Sequence, residues 1–226
     1  MIKEIKHIRQ INSTNKYLKE FSTEIDDGTL IYADYQTHGV GRRGTKWHSQ
    51  SGKNLLFSFL LKESKNRPEE VLLAVALAIV KTLDQLGLKA SIKLPNDILI
   101  NNHKISGILI ERTIYDDYQT YVIGIGLNIN EIFNDGQRTS LKQEMGRSYH
   151  RLAVLKKYIT AFNELFNQDN IVRFKDRMLK PTLVKYAGKD YRWLDIHKNY
   201  SVVIEKQGEL LSVPFSELDF DYHSKL

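Results

Sequence analysis

Residues 122–130, which read VIGIGLNIN, constrain the fold of this chain more than any other segment. Successive side chains of a β-strand point to opposite faces, so the odd and even positions predict two different environments. The odd positions predict a side that faces the core: Ile123, Ile125, Leu127 and Ile129. The even positions carry no side chain or a small amide: Gly124, Gly126, Asn128 and Asn130. Such a bare face indicates close packing by a neighbouring helix or by a ligand, and the paired amides favour the ligand.

Hydrophobic periodicity around this segment predicts a mixture of strands and helices. Strands are predicted at residues 2–11, 30–35, 55–61, 97–100, 103–111 and 121–130. Helices are predicted just after residue 15, from Pro68 to Gly87 and over residues 152–166. After Pro181 the pattern changes to short strands, which predicts a main domain over residues 1–180 and a small β-domain over residues 181–226.

The dipeptide at residues 101–102 predicts a tight hairpin turn, because both of its asparagines tolerate positive φ. Counting outward from that turn pairs Leu99 with Lys104 and Asp97 with Ser106. Asp97 and Lys104 then lie on the same face as diagonal neighbours, about 7–8 Å apart between Cα atoms. The sequence therefore predicts a carboxylate and an ammonium on one surface.

Composition excludes several kinds of chemistry. The 226 residues include no cysteine, which excludes disulfides, thiolate nucleophiles and cysteine-based zinc sites. Histidines at metal-ligand spacing are missing, as is any apolar run of about 20 residues that could span a membrane. The start of the sequence does not read as a signal peptide, so we expect a cytoplasmic protein. The net charge of +6 favours acidic partners, although its scattered lysines and arginines are typical of a solubilising surface.

Residues 36–47, which read QTHGVGRRGTKW, predict an anion-binding loop. Gly39, Gly41 and Gly44 would let backbone N–H groups turn inward, and two arginines add guanidinium groups that fit phosphate. A mobile basic surface loop is the alternative, because glycine-rich motifs often match by chance.

Three further segments combine polar side chains with a local structural explanation. Residues 13–15, Ser-Thr-Asn, suit the N-cap of the following helix, a contribution of about 1 kcal/mol. Residues 93–97, Lys-Leu-Pro-Asn-Asp, are typical of a turn. Lys104 would ordinarily be solvated. Gly107 in the same strand, however, marks a place where another group can approach the backbone closely. Trp47 suits either a core position or the wall of a pocket.

Taken together, the segments STN, QTHGVGRRGTKW, KLPND, HKISGILIE and GIGLNIN occur in the order and spacing of the biotin protein ligases. The resemblance covers most of the chain up to about residue 145. It implies an α+β fold whose mixed sheet, flanked by helices, is similar to class II aminoacyl-tRNA synthetases and is followed by a small SH3-like β-domain. It also implies a ligase that uses ATP and Mg²⁺ to convert biotin to biotinyl-5'-AMP, then transfers the biotinyl group to a lysine of a biotin carboxyl carrier protein or domain.

The resemblance also implies a set of site residues, with no certain metal ligand. The implied biotin-binding residues are Ser13, Thr14, Asn15, Gln36, Gly39, Val40, Gly41, Arg42, Lys104, Gly107 and Gly124. The implied ATP-binding residues are Arg42, Arg43, Trp47, Asn96, Lys104 and Asn128. Arg42 and Lys104 would bridge the biotin carboxylate and the α-phosphate, and Asp97 would orient the acceptor lysine. The glycine loop would form a lid that is disordered without ligand.

The chain departs from the family pattern in several places. Val40 and Thr45 replace arginines of the loop, which predicts weaker retention of the adenylate. Leu94 stands where the family prefers tryptophan, and the sequence from Tyr186 lacks the glycine-rich SH3-like signature. Because the STN segment begins almost at once, we expect no DNA-binding winged helix, no repressor role and no nucleic-acid partner. Homodimerisation is common in the family and is possible here.

Three other functions compete with this interpretation. A lipoate ligase or octanoyl transferase has the same fold class, but its usual SGGG loop is not what residues 39–47 show. A biotin-binding paralogue with weak turnover is suggested by Val40 and by the divergent C-terminal part. A nucleic-acid binder is suggested only by the net charge and the paired arginines, without an aromatic platform or a helix-turn-helix pattern.

Overall fold

Two β-sheets organise the chain, which a computed structural model describes over residues 1–63, 67–197 and 199–221. The first sheet has seven strands: β1 (Glu4–Ile11), β2 (Thr29–Gln36), β3 (Leu55–Glu63), β4 (Ser91–Lys93), β5 (Asp97–Ile100), β6 (His103–Ile114) and β7 (Gln119–Leu127). Their spatial order is β1-β2-β3-β7-β6-β5-β4. The β1–β2 pair is parallel and the other pairs are antiparallel, so this is the predicted mixed sheet.

A second, antiparallel sheet follows in the sequence, in the spatial order β11-β10-β9-β8-β12. Its strands are β8 (Leu183–Tyr186), β9 (Lys189–Ile196), β10 (Ser201–Lys206), β11 (Glu209–Pro214) and β12 (Asp219–Asp221). The helices are α1 (Thr14–Glu20), α2 (Pro68–Asp84), α3 (Leu141–Met145), α4 (Arg151–Leu165) and α5 (Ile171–Arg177). The predicted α+β class is confirmed, whereas β4, α3 and α5 were not predicted.

The alternation of side chains in β3 explains how helices cover both faces of the large sheet. Phe57 and Phe59 lie against Tyr158 and Phe162 of α4, with ring centroids 5.0 and 4.9 Å apart. On the opposite face, Leu60 belongs to a smaller apolar cluster that includes Leu18 of α1. Burying each such side chain contributes about 1.5–3 kcal/mol, so the apolar alternation fixes which helix lies on which face. The cavity described below opens on the face that carries α1.

The hairpin between β5 and β6 has the predicted turn but not the whole predicted register. Asn101 and Asn102 adopt φ of 48° and 67°, and Leu99 pairs with Lys104 as predicted. Asp97, however, pairs with Gly107, so the predicted pairing of Asp97 with Ser106 is wrong. A β-bulge adds one residue to β6, which a count from the turn cannot reveal. The predicted common surface is nevertheless confirmed, because the Asp97 carboxylate lies 2.6 Å from the Lys104 ammonium.

The prediction for residues 122–130 is correct for the strand core and wrong at its end. All four odd-numbered aliphatic residues are buried, as the parity pattern requires. Strand β7 ends at Leu127, so Asn128 and Asn130 lie beyond it. The Asn128 amide donates to the carbonyl of Thr139 at 3.0 Å, and Asn130 exchanges hydrogen bonds with the backbone of Tyr149. These asparagines therefore anchor the following chain instead of extending the bare face of the strand.

Among residues 1–63, 67–197 and 199–221, no helix combines the length and the apolar character that crossing a membrane would require.

Candidate functional site

A cavity of about 260 Å³ opens over the middle of the large sheet. Strands β6 and β7 form its floor, the start of α1 forms one wall, and the glycine loop after β2 forms another. The predicted site residues that line it are Ser13, Thr14, Asn15, Gln36, Val40, Gly41, Arg42, Trp47, Asn96, Asp97, Lys104, Gly107 and Gly124. The predicted site residues that do not line it are Gly39, Arg43 and Asn128. The tertiary structure thus brings together predicted residues from five separate sequence segments.

The bare glycines of β7 are covered by protein side chains. A Cβ placed on Gly124 would lie 2.0 Å from Oδ1 of Asn15, and one placed on Gly126 would lie 2.3 Å from the Trp47 ring. The prediction that a ligand packs directly on both glycines is therefore wrong at these two points. Close packing explains the glycines, and it brings Asn15 and Trp47 down to the floor of the cavity.

The glycine loop folds into a small hairpin in which Val40 pairs with Lys46. The Gly41 N–H donates to the carbonyl of Thr45 at 2.7 Å, so it does not turn toward an anion as predicted. A Cβ on Gly41 would lie 2.7 Å from the Thr45 hydroxyl, which explains this glycine by packing within the loop. Arg43, at φ 53°, forms an ion pair with Asp219 of β12 outside the cavity. The positive charge that the loop presents to the cavity therefore comes from the side chains of Arg42 and Lys46, both of which line it.

Three cationic residues, Arg42, Lys46 and Lys104, and one carboxylate, Asp97, line the cavity and set its electrostatics. The Arg42 guanidinium lies 3.4 Å from the Asn96 side-chain oxygen. Partial burial and the neighbouring Arg43 lower the pKa of Arg42, and Asp219 and Asp97 oppose that shift. An arginine stays charged at neutral pH despite such a shift. Lys104 lies 2.6 Å from Asp97, and its ammonium sits 5.6 Å from the centroid of the Trp47 ring.

The Lys104–Asp97 contact is an ion pair rather than a well-aligned hydrogen bond. The carboxylate oxygen nearest the ammonium is buried and has no partner with hydrogen-bond geometry among the described residues. A second anion near Lys104 would therefore compete with a poorly aligned partner. With Arg42 beside it, the cavity carries more positive than negative charge and suits a ligand with anionic groups.

Beside the strands of the floor, four neutral polar residues from α1, β2 and β3 also line the cavity and are called the polar floor below: Thr14, Asn15, Gln36 and Ser58. Ser58 of β3 donates to Asn15 Oδ1 at 2.5 Å and lies 2.6 Å from the Thr14 hydroxyl. The Thr14 N–H donates to Gln36 Oε1 at 2.8 Å. Sequence reasoning missed Ser58, although a serine within the apolar strand LLFSFLL is the signal that could have found it. Neutral hydrogen-bonding groups at one end and cations at the other suit a ligand that is neutral at one end and anionic at the other.

Residues 135–139, which the sequence patterns did not single out, hold the backbone of Lys104 in place through hydrogen bonds. Its N–H donates to the carbonyl of Gln137 at 2.8 Å, and its carbonyl accepts from Thr139 N–H at 3.0 Å. The carboxylate of Asp135 caps this turn by accepting from the N–H groups of Gln137 and Arg138, both at 2.9 Å. These bonds fix the position of the Lys104 backbone, and therefore the point from which its side chain reaches the cavity.

The Asp135 cap predicts a specific response to acid. Bonds from the Gln137 amide, the Arg138 side chain and the Arg138 amide lower the pKa of Asp135 from 3.8 to about 2. Because the folded pKa is depressed, the cap stabilises the turn fully above pH 4, loses its effect between pH 4 and 2, and contributes nothing below pH 2. We expect Asp135→Asn to loosen the turn already at pH 7, measured as faster amide exchange of Lys104 and Thr139. Unchanged exchange would contradict this role of the carboxylate.

Within residues 1–63, 67–197 and 199–221, no three His, Asp or Glu side chains are grouped so that they could hold a metal ion.

The fold is that of the biotin protein ligases. A structure described as the biotin protein ligase from Aquifex aeolicus in complex with biotin and ATP matches with a TM-score of 0.83 and 24% identity, covering 98% of this chain and 100% of that one. The chain belongs to the biotin/lipoate A/B protein ligase family, whose model matches residues 7–128.

Two curated relatives are bifunctional ligase/repressors named BirA. The protein from Bacillus subtilis is 36% identical over 168 residues, which is 69% of this chain and 51% of the relative. The protein from Escherichia coli is 32% identical over 217 residues, which is 89% of this chain and 66% of the relative. The chain thus spans between half and two thirds of the length of these relatives.

Proposed function

We propose that this chain is an ATP-dependent ligase that activates biotin as biotinyl-5'-AMP and transfers the biotinyl group to a lysine of a biotin carboxyl carrier domain. One observation carries the proposal: Arg42 and Lys104 line the same cavity, whose floor includes Gly124 and Gly126. Membership of the biotin/lipoate ligase family and the names of the relatives support it.

In the first step, the carboxylate of biotin attacks the α-phosphorus of ATP. A bond forms from the carboxylate oxygen to phosphorus, and the bond to pyrophosphate breaks. Negative charge then grows on the phosphoryl oxygens and the leaving group, so fixed cations lower the barrier. Arg42 and Lys104 supply those cations, and we propose that Mg²⁺ enters bound to the ATP phosphates.

In the second step, the amine of the acceptor lysine attacks the acyl carbon and AMP leaves. The amine must first lose its proton, and Asp97 is the carboxylate that lines the cavity beside Lys104. Once the anionic groups of the adenylate pair with Lys104, the Asp97 carboxylate is released from that ion pair and can orient the incoming ammonium. Its role is therefore coupled to formation of the intermediate.

The polar floor favours biotin over lipoate as the acid. Thr14, Asn15, Gln36 and Ser58 offer hydrogen-bonding groups that a cyclic urea can match, whereas the dithiolane of lipoate has no N–H or carbonyl group to bond with them. The indole Nε1 of Trp47 is a further buried donor with no partner among the described residues. The difference in hydrogen-bonding groups between biotin and lipoate is the basis of the specificity that we propose.

The decisive experiment combines the protein with biotin, Mg-ATP and a biotin carboxyl carrier domain, followed by mass analysis of the carrier. We expect one added biotinyl group, and none when the acceptor lysine is replaced by arginine. Lipoate offered in place of biotin is expected to give no product. Pyrophosphate release without carrier modification would favour an adenylate-binding paralogue, and lipoylation would overturn the choice of acid.

The loop predicts how tightly the intermediate is held. Val40 lies where biotin ligases typically carry an arginine, so one cation that would retain the adenylate is missing. We expect Val40→Arg to slow the release of biotinyl-5'-AMP by about 10-fold, the effect of one charge-assisted hydrogen bond. Release can be measured by trapping free adenylate in a pulse-chase. Equal lifetimes in both proteins would remove this explanation.

The remaining features follow from the same proposal. We propose a catalytic domain over residues 1–180, a divergent SH3-like domain over residues 181–226, and a cytoplasmic enzyme that does not bind nucleic acid. Strand β1 is the edge of the large sheet, and a homodimer could form along that edge. Sedimentation with and without biotin and ATP tests the homodimer.

A further inference from the structure

We propose that Glu111 is a positioning residue that determines which groups on the polar floor donate hydrogen bonds and which accept them. Glu111 lies in β6, at the end of the HKISGILIE segment, and does not line the cavity itself. Its carboxylate acts through Asn15, which does. The proposal rests on the biotin-ligase function, because it assigns the origin of recognition at the neutral end of the ligand.

The orientation of the Asn15 amide depends on Glu111. Asn15 Nδ2 donates to Glu111 Oε2 at 3.1 Å and to the carbonyl of Leu109 at 3.4 Å. Both partners are acceptors only. Turning the amide over would place Oδ1 against a carboxylate, so this orientation is fixed by repulsion as well as by attraction. Asn15 Oδ1 must therefore face Ser58.

From Asn15 the hydroxyl protons are ordered in one direction. Ser58 has one proton and donates it to Asn15 Oδ1 at 2.5 Å. The Thr14 hydroxyl lies 2.6 Å from Ser58 Oγ and 3.1 Å from Gln36 Oε1. Two hydroxyl oxygens 2.6 Å apart must share a proton, and the Ser58 proton is already used, so the Thr14 hydroxyl is the donor to Ser58. Gln36 Oε1 accepts the Thr14 N–H at 2.8 Å, which leaves the Gln36 NH₂ group as a donor. A single carboxylate thus orders three side chains, Asn15, Ser58 and Thr14, and the backbone N–H of Thr14 orients Gln36.

This ordering gives the floor a defined polarity. Both hydroxyl protons are used inside the chain of bonds, so the oxygens of Thr14 and Ser58 offer lone pairs to a ligand. The Gln36 amide offers N–H. A cyclic urea, with two N–H donors and one carbonyl acceptor, matches that pattern. Without the Glu111 carboxylate, the Asn15 amide could turn over and the hydroxyls could donate outward, so a ligand with fewer N–H groups would fit almost as well.

A purely structural role is the alternative explanation. Glu111 Oε1 also accepts from the Lys19 ammonium at 2.9 Å and so ties α1 to β6. Two variants separate the roles. Lys19→Ala removes the tie but keeps the Asn15–Glu111 bond. Glu131→Ala removes a comparable carboxylate outside the cavity, which binds the Asn54 amide at 2.5 Å.

The experiment measures two dissociation constants by calorimetry, for biotin and for its cyclic-carbamate analogue, in which one ureido N–H is a ring oxygen. We expect the unmodified protein to prefer biotin by on the order of 10²-fold, because the analogue leaves a buried acceptor unpaired. Glu111→Ala is expected to reduce that preference about 10-fold. Glu111→Gln should keep most of it, because its side-chain oxygen can still accept from Asn15. Lys19→Ala and Glu131→Ala should leave the ratio unchanged.

If Glu111→Ala fails to fold, the double variant Lys19→Ala/Glu111→Ala takes its place, because it leaves no unpaired lysine. We expect the same loss of preference for biotin, about 10-fold, in that variant. Two results would overturn the positioning role and leave the ligase function standing. One is that either variant binds biotin and the analogue more weakly by the same factor. The other is that Glu131→Ala loses as much of the preference for biotin as Glu111→Ala does. Failure of the unmodified protein to bind biotin would overturn the proposed function and this inference with it.

Discussion

Replacing Lys104 by alanine is expected to slow formation of biotinyl-5'-AMP by on the order of 10²- to 10³-fold, and Arg42→Ala is expected to have a similar effect. Both cations line the cavity in which the proposed reaction would develop negative charge, and a preorganised group of this kind contributes about 2.7–4 kcal/mol to the transition state. Pyrophosphate release with biotin and Mg-ATP measures the rate. Because the two groups act on one charge, the double variant should lose less than the product of the single effects.

Several controls distinguish a lost cation from a disturbed cavity. Lys104→Ala leaves Asp97 without its ion-pair partner, so Lys104→Ala/Asp97→Asn removes the unpaired carboxylate as well. We expect that double variant to remain slow, because the missing cation is the cause. Lys157→Ala, an exposed lysine on α4, should retain full activity. A rate within threefold of the unmodified enzyme for both Lys104→Ala and Arg42→Ala would refute the proposed adenylation mechanism.

The second large effect is expected for Gly124→Ala. The added Cβ would lie 2.0 Å from Asn15 Oδ1 and 2.7 Å from its Cγ, so the Asn15 side chain must move. Moving it breaks the bonds to Ser58 and Glu111. We expect biotin to bind on the order of 10²-fold more weakly, together with a loss of about 1–3 kcal/mol in the free energy of unfolding.

Removing the obstructing side chain tests that explanation. In Asn15→Ala/Gly124→Ala, the amide that collides with the new Cβ is absent, so the free energy of unfolding should recover while biotin affinity stays low. Chemical denaturation and calorimetry measure the two quantities separately. If the double variant is as unstable as Gly124→Ala alone, the collision with Asn15 does not explain the glycine.

Much of the fold was predictable because its signals are local. The alternation of β7, the proline at the start of α2 and the asparagine turn of the β5–β6 hairpin each depend on a few neighbouring residues. The family motifs predicted most of the residues that line the cavity. The errors occurred where local patterns compete with tertiary contacts: the bulge in β6, the early end of β7, and the loop amide of Gly41, which bonds within its own hairpin.

The sequence by itself determined the order of the elements, the side of each strand that enters the core, and the charged residues available to the site. Only the tertiary structure decided that Asn15 lies on Gly124, between Ser58, 43 residues away, and Glu111, 96 residues away. The physical reason is that the period of a strand fixes which way a side chain points. Which distant side chain it meets depends on the pairing order of the strands, and here that order places β3, β7 and β6 side by side beneath α1.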